Sequence, residues 1–146
     1  MVPLLEREWG GVELVALSLG GVVDASRLPG WLAERDGEVV GLLTYLTSGD
    51  VVELVTINAF TGGGVGAALL EALVEEVRGS AAKVRVTTTN DNTRALRFYQ
   101  RAGFRLTALR PGAVDESRRL KPQIPVLGHD RIPIRDELEL EMELSR

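Results

Sequence analysis

The chain has 146 residues, 45% of them hydrophobic and 26% charged, with 17 Lys and Arg against 21 Asp and Glu for a net charge of −4. Such a length fits one domain with a real core, 1–146, and the charge balance is not that of a chain built around nucleic acid. With no cysteine and one histidine, disulfides, thiolate sites and cysteine nucleophiles are excluded and no metal is expected. No apolar run approaches the ~20 residues of a membrane span, and "MVPLLEREWG" lacks the basic-then-apolar order of a signal peptide, so the expected location is the cytoplasm, with no membrane partner.

In chain order, a short helix is expected over about residues 3–9, followed by a stretch without clear periodicity through Asp24 and Pro29. Residues 31–58, "WLAERDGEVVGLLTYLTSGDVVELVTIN", hold three β-prone runs punctuated by Asp36-Gly37 and Ser48-Gly49. This pattern predicts two successive hairpins and an antiparallel meander. From 64 to 78 the period changes, with Val65, Leu69, Leu73 and Val77 four apart, which predicts an amphipathic helix closing near Gly79.

"AKVRVTTT" (82–89) reads as a strand. "NTRALRFYQRAG" (92–103) reads as a helix with Ala95, Tyr99 and Ala102 on one face, Arg94, Arg97 and Arg101 on another, and Gly103 as its stop. "FRLTALR" (104–110) is extended, and "RDELELEMEL" (135–144) alternates strictly, with Leu138, Leu140, Met142 and Leu144 inward and Glu137, Glu139, Glu141 and Glu143 on a solvated face. Between them lies a proline-bearing connection, 111–134, with one or two helical turns around "AVDESRRL". A loop that long in a small domain is usually functional or disordered. The order of elements makes the fold α+β, or mixed α/β.

"FTGGGVGAALL" (60–70) sets a run of bare backbone at the start of an apolar helix. A nucleotide-triphosphate loop would end Gly-Lys-Ser/Thr, but this run ends Gly66-Ala67-Ala68. A dinucleotide fingerprint could be laid on Gly62, Gly64 and Ala67, but it wants a parallel βαβ unit and an acidic residue ~20 positions on, where "AKVRV" has none. There remain a pyrophosphate cradle made of backbone N–H groups at a helix N-terminus, and a plain flexible turn.

Residues 90–104, "NDNTRALRFYQRAGF", resemble the N-x-x-A-x-x-x-Y-x-x-x-G-F segment of the GNAT N-acetyltransferase superfamily through Asn92, Ala95, Tyr99, Gly103 and Phe104. Gly64 and Gly66 fill the two small positions of that family's [R/Q]-x-x-G-x-[G/A] coenzyme A loop, with Thr61 where Arg or Gln is usual. The resemblance covers roughly 37–110. It implies a central mixed, mostly antiparallel twisted sheet with helices on both faces, the family's first strand being missing or rearranged here.

It also implies direct acetyl transfer from acetyl-CoA to an amine of a small molecule or peptide. Gly62, Gly63, Gly64, Val65, Gly66 and Ala67 would then hold the pyrophosphate, and Asn92 would contact the pantetheine or diphosphate arm, a role compatible with capping its helix. Tyr99 would serve the departing thiolate, and the N–H of Ile57 or Asn58 the thioester oxyanion. An alkylammonium must lose its proton before it attacks, and Glu53 is the candidate base, although an exposed strand glutamate reads the same way. Thr87–Asn90 would flank the pantetheine or simply follow strand propensity. The loop 111–134, with Asp115, Glu116, Arg118, Arg119, Lys121, His129 and Asp130, would choose the acceptor, and His129 is a second candidate base. The competing reading is a non-catalytic acyl-CoA-binding module. Two-fold assembly is common among small enzymes, so a homodimer is the oligomer considered.

Overall fold

Two tight turns organise the first half of the chain. In the computed structural model, which describes residues 7–9, 12–17, 29–60 and 63–144, Asp36 and Gly37 both adopt positive φ, 53° and 82°, as a type I′ hairpin turn requires. This turn joins β3 (Gly30–Arg35) to β4 (Glu38–Ser48), and a second, at Gly49 and Asp50, joins β4 to β5 (Val51–Ala59). Ahead of them β1 (Arg7–Trp9) pairs with β2 (Val12–Leu17), and β2 pairs with β3, every pair antiparallel. The helix expected over 3–9 is therefore corrected at Arg7–Trp9, where the backbone is extended and bonded to β2; residues 3–6 lie outside the described residues.

The described backbone divides into two compact units, one ending at Val84 and taking in Leu144, the other Arg85–Glu143. In the first unit, α1 (Val65–Val77) buries Val65, Ala68, Leu69, Leu70, Ala72, Leu73, Val74 and Val77, packing on the strands of the meander. Leu43, Leu69 and Leu73 are wholly enclosed, each contributing about 1.5–3 kcal/mol by burial. Gly41 lets the helix sit low on β4, since a Cβ there would lie 2.6 Å from Val65 Cγ1 and 3.0 Å from Leu69 Cδ1.

Register then sorts the remaining side chains. Leu43 pairs with both Trp31 and Ile57, and these share the α1 face with Gly41. Leu42, Thr44 and Leu46 take the opposite face, paired with Asn58, Thr56 and Glu53. Thr44 pairs with Thr56 but Tyr45 with Leu54, so Val55 is a bulge, one residue with no partner opposite it.

In the second unit, β8 (Glu137–Glu143) lies between β7 (Arg105–Arg110) and β6 (Lys83–Thr89), whose first two residues belong to the first unit. β7 and β8 are antiparallel, with Leu106 opposite Leu140 and Arg110 opposite Glu137. The β8 glutamates form less of a solvated face than the alternation predicts. Glu141 meets Arg85 Nε at 2.9 Å, Arg110 joins Glu137 and Glu139, and the Glu141 side chain is only 13% exposed.

α2 (Thr93–Ala102) presses Tyr99 into an aromatic cluster, its ring edge-on to Phe98 at 5.5 Å and to Phe104 at 5.4 Å. Ala102, expected on the same inward face, is exposed. The long connection is well formed, with α3 spanning Ala113–Leu120 and a short 3₁₀ turn at His129–Arg131.

Candidate active site

The glycine run forms the entry to α1. Thr61 and Gly62 lie outside the described residues; Gly63 and Gly64 both sit at φ 84°, a region closed to most side chains. Gly64 is the N-cap, its carbonyl accepting from Ala68 N at 2.9 Å. There is no side-chain cap and no acidic residue in the first turn, so the amides of Val65, Gly66 and Ala67 are the helix's orphan donors. A Cβ on Gly64 would have nothing within 4 Å among the described residues, which leaves bare backbone uncovered by them. The arrangement fits a pyrophosphate, with several N–H groups, the positive end of a helix dipole and no acidic side chain in the helix's own first turn.

Arg35 stands beside this turn. Its Nη2 is 3.3 Å from where a Gly63 Cβ would begin. Motif reading missed it because it lies far from the glycines in sequence, and its signal was positional: Trp31, Ala33 and Arg35 alternate along one strand face.

Also in the first unit, Glu53 is half-buried on β5 and lies with Thr44, Thr56 and Asn58 on the face turned away from α1. The bulge produces this company. In an unbroken ladder Glu53 would share the parity of Ile57 and turn toward α1; the extra residue at Val55 reverses the phase. The signal was present in "VVELVTIN", where the apolar residues Val52, Leu54 and Ile57 are spaced two and then three apart. Ile57 and Asn58 follow the bulge, Ile57 half-buried and Asn58 exposed. Thr44 is 1% exposed, and its hydroxyl finds no hydrogen-bond partner among the described residues. Tyr45, on the α1 face, has its phenol pKa raised by burial and by the nearby Glu76 carboxylate.

In the second unit, Asn92 caps α2, its Oδ1 accepting from Ala95 N at 3.2 Å. Tyr99 is 6% exposed, and burial pushes its phenol up to about 12 from 10.0. The phenol is therefore neutral throughout the physiological range, a donor rather than a base.

The shift carries a sign that can be checked. Below pH 10.0 the tyrosine is neutral in folded and unfolded chains alike; between 10.0 and about 12 only the unfolded chain ionises. Stability is thus fully present below the lower value and lost as pH rises, by up to about 3 kcal/mol for two units. Urea midpoints measured across this window are expected to fall in the native chain and to fall less in Tyr99→Phe.

The residues just before α2 are engaged with the long connection. Asp91, 3% exposed, accepts from Thr89 Oγ1 at 2.5 Å and from His129 N at 3.0 Å. Burial alone would raise its pKa, but these two bonds, with the nearby His129, hold it below the usual range. Asn90 donates to the Pro133 carbonyl and accepts from the Arg135 and Asp136 amides. Asn90 thus has its side-chain polar atoms committed to this connection, and Thr89 its hydroxyl to Asp91. His129 is exposed and lines an open hollow with Thr93, Arg94 and Asp130. Asp91 carried no signal in the sequence beyond its place between two asparagines. Among the described residues there is no cluster of three or more His, Cys, Asp or Glu fit for a metal, and no helix is long and apolar enough to cross a membrane.

In the second unit Tyr99 is kept neutral on a capped helix, and in the first unit α1 opens on bare backbone. The pattern of the Acetyltransferase (GNAT) family matches residues 8–104, more than half of the chain, and the protein belongs to that family. It is 39% identical over 143 residues to the uncharacterized protein YxbD of Bacillus subtilis strain 168, covering 96% of this chain and 89% of that one. Among solved structures, a GNAT family acetyltransferase from Elizabethkingia anophelis with acetyl-CoA bound superposes with TM-score 0.76 at 20% identity, covering 93% of this chain and all of that one. A Bacillus subtilis acetyltransferase in complex with CoA gives 0.69 at 24%, covering 80% and 77%. These two likenesses establish the mixed α+β fold of the family.

Proposed function

We propose that the protein is an acetyl-CoA-dependent N-acetyltransferase, passing the acetyl group directly to a primary amine of a small molecule or peptide. The observation that carries this reading is the start of α1, a helix N-terminus with no side-chain cap, behind two glycines at φ 84° and with none of the described residues within 4 Å of a Cβ on Gly64. A pyrophosphate is the ligand chemistry such a seat suits. The family pattern runs from the first compact unit into the second, which supports treating 1–146 as one acetyltransferase domain.

In this reading the amides of Val65, Gly66 and Ala67, with Gly62, Gly63 and Gly64, hold the diphosphate. Asn92 lies along the pantetheine arm, and an amide at Ile57 or Asn58 meets the thioester oxygen. Glu53 takes, through water, the proton the ammonium must lose before it attacks; the C–N bond then forms, the C–S bond breaks, and the second nitrogen proton passes to water. Tyr99 faces the departing thiolate. A thiol of ordinary pKa ~8.5 is a stronger acid than a phenol at about 12. Outright proton transfer to the sulfur therefore runs uphill by about 5 kcal/mol, and Tyr99 stabilises the leaving group as a hydrogen-bond donor.

Thiol release from acetyl-CoA across polyamines, amino acids, aminoglycosides and peptides tests the activity. Tyr99→Phe and Glu53→Gln are each expected to lower turnover by about 100-fold or more, with acetyl-CoA affinity retained. Acetyl-CoA binding with no thiol release on any amine would favour a non-catalytic acyl-CoA-binding module instead. Unchanged turnover in both variants would remove these two residues from the chemistry.

A further inference from the structure

We infer that Arg35 supplies the cationic contact to the coenzyme A pyrophosphate that the glycine turn itself lacks, reaching it from a different strand. The inference rests on the proposed acetyl-CoA reading and concerns the same seat. Thr61 leaves the loop without the basic or amide side chain usual there, and no lysine or arginine falls between Phe60 and Val77.

The geometry of β3 brings one in. Trp31 and Ala33, 5% and 0% exposed, point to the α1 face, and Ala33 is paired with Gly41, the residue on which the first turn of α1 rests. Arg35 is the next residue on that face, ~7 Å further along the strand. The pairing slips between Ala33 and Glu34, so that Arg35 stands opposite Glu38 at the hairpin's end. Its guanidinium arrives at Gly63, with Nη2 3.3 Å from the position of a Cβ. Any side chain at 63 would crowd it, so the bare backbone there serves the arginine as well as the turn.

Electrostatics gives the placement its meaning. A cation at a helix N-terminus lies at the positive end of the dipole and is disfavoured. α1 has no acidic residue in its first turn to offset it. A dianionic diphosphate held between the guanidinium and the amides of Val65–Ala67 turns that repulsion into two attractions, and the planar fork of arginine suits phosphate oxygens.

The test is binding of three probes by calorimetry to the native chain, Arg35→Gln and Arg35→Lys. The probes are acetyl-CoA, its 3′-dephospho form and S-acetylpantetheine, which has no phosphate. Arg35→Gln is expected to weaken acetyl-CoA and 3′-dephospho-acetyl-CoA equally, by about 10- to 100-fold. It leaves S-acetylpantetheine unchanged, and Arg35→Lys recovers part of the loss. The salt dependence of acetyl-CoA binding should also flatten in Arg35→Gln. Equal affinity of native and variant chains for acetyl-CoA overturns the inference, as does a loss confined to the probe with the 3′-phosphate. A native chain that binds none of the probes overturns the acetyl-CoA reading instead. Unchanged melting temperatures in both variants show that the loss is local.

Discussion

Gly64→Glu is expected to abolish acetyl-CoA binding while leaving a folded protein. Two effects act together. A glutamate at φ 84° is strained by about 1–2 kcal/mol, and its carboxylate stands where the diphosphate would lie. Two unit charges ~4 Å apart at an effective dielectric near 20 repel by about 4 kcal/mol, close to a thousandfold in affinity. The fold should survive, because a Cβ on Gly64 meets nothing within 4 Å among the described residues. Gly64→Asn separates the two effects, since asparagine tolerates the left-handed region and carries no charge; its affinity should stay within about tenfold of native. Titration of both variants with acetyl-CoA decides. A glutamate variant that binds as well as the asparagine one would show that the phosphates lie elsewhere.

The second large effect is on stability. Gly128→Ala should destabilise the protein by about 2–4 kcal/mol. A methyl group at 128 would collide with Asp91 Oδ2 and come within 2.6 Å of its Cγ and 2.7 Å of Ile134 Cγ1. Neither neighbour can retreat cheaply. Asp91 is held by Thr89 Oγ1 and the His129 amide, and displacing it leaves a buried carboxylate with fewer donors. Because the alanine acts through Asp91, Asp91→Ala should partly absorb its cost, so the double variant falls short of the sum. Urea denaturation of the four chains measures this coupling. Full additivity would show that the collision is relieved some other way.

Much of this architecture is legible in the sequence because local rules act there without competition. Asp36-Gly37 forces the first hairpin, and the four-residue spacing of Val65, Leu69, Leu73 and Val77 marks α1 to within a residue. Gly103 stops α2 where expected, and the alternation of 135–144 finds β8. What escaped depended on pairing between distant residues. The extended backbone at Arg7–Trp9 is set by its bonds to β2, against a local pattern that reads as helix. Arg35 reaches Gly63 only because a strand and a helix lie one above the other. The ion pair at Glu141 needs Arg85 on another strand, so the alternation could place its face but not its exposure. At the candidate site, the capping half of Asn92's two readings is legible and observed, and helical spacing places Tyr99 on the buried side of α2. Asp91, Asn90 and Gly128 were invisible as a set because their bonds join segments some forty residues apart.

The connection from β7 to β8 has a further consequence, through Arg118. Its guanidinium donates to the carbonyls of Ile124, Pro125 and Ile134 and to Asp115, while Asn90 and Asp91 grip the far end of the same segment. A few side chains thus hold its backbone, whereas Glu116, Arg119, Lys121 and Gln123 are exposed and fall outside that scaffold. Such a segment can be resurfaced by mutation without being refolded. If it chooses the acceptor, new preferences can be sampled at little cost in stability, and a partner that docks on it meets a surface already ordered.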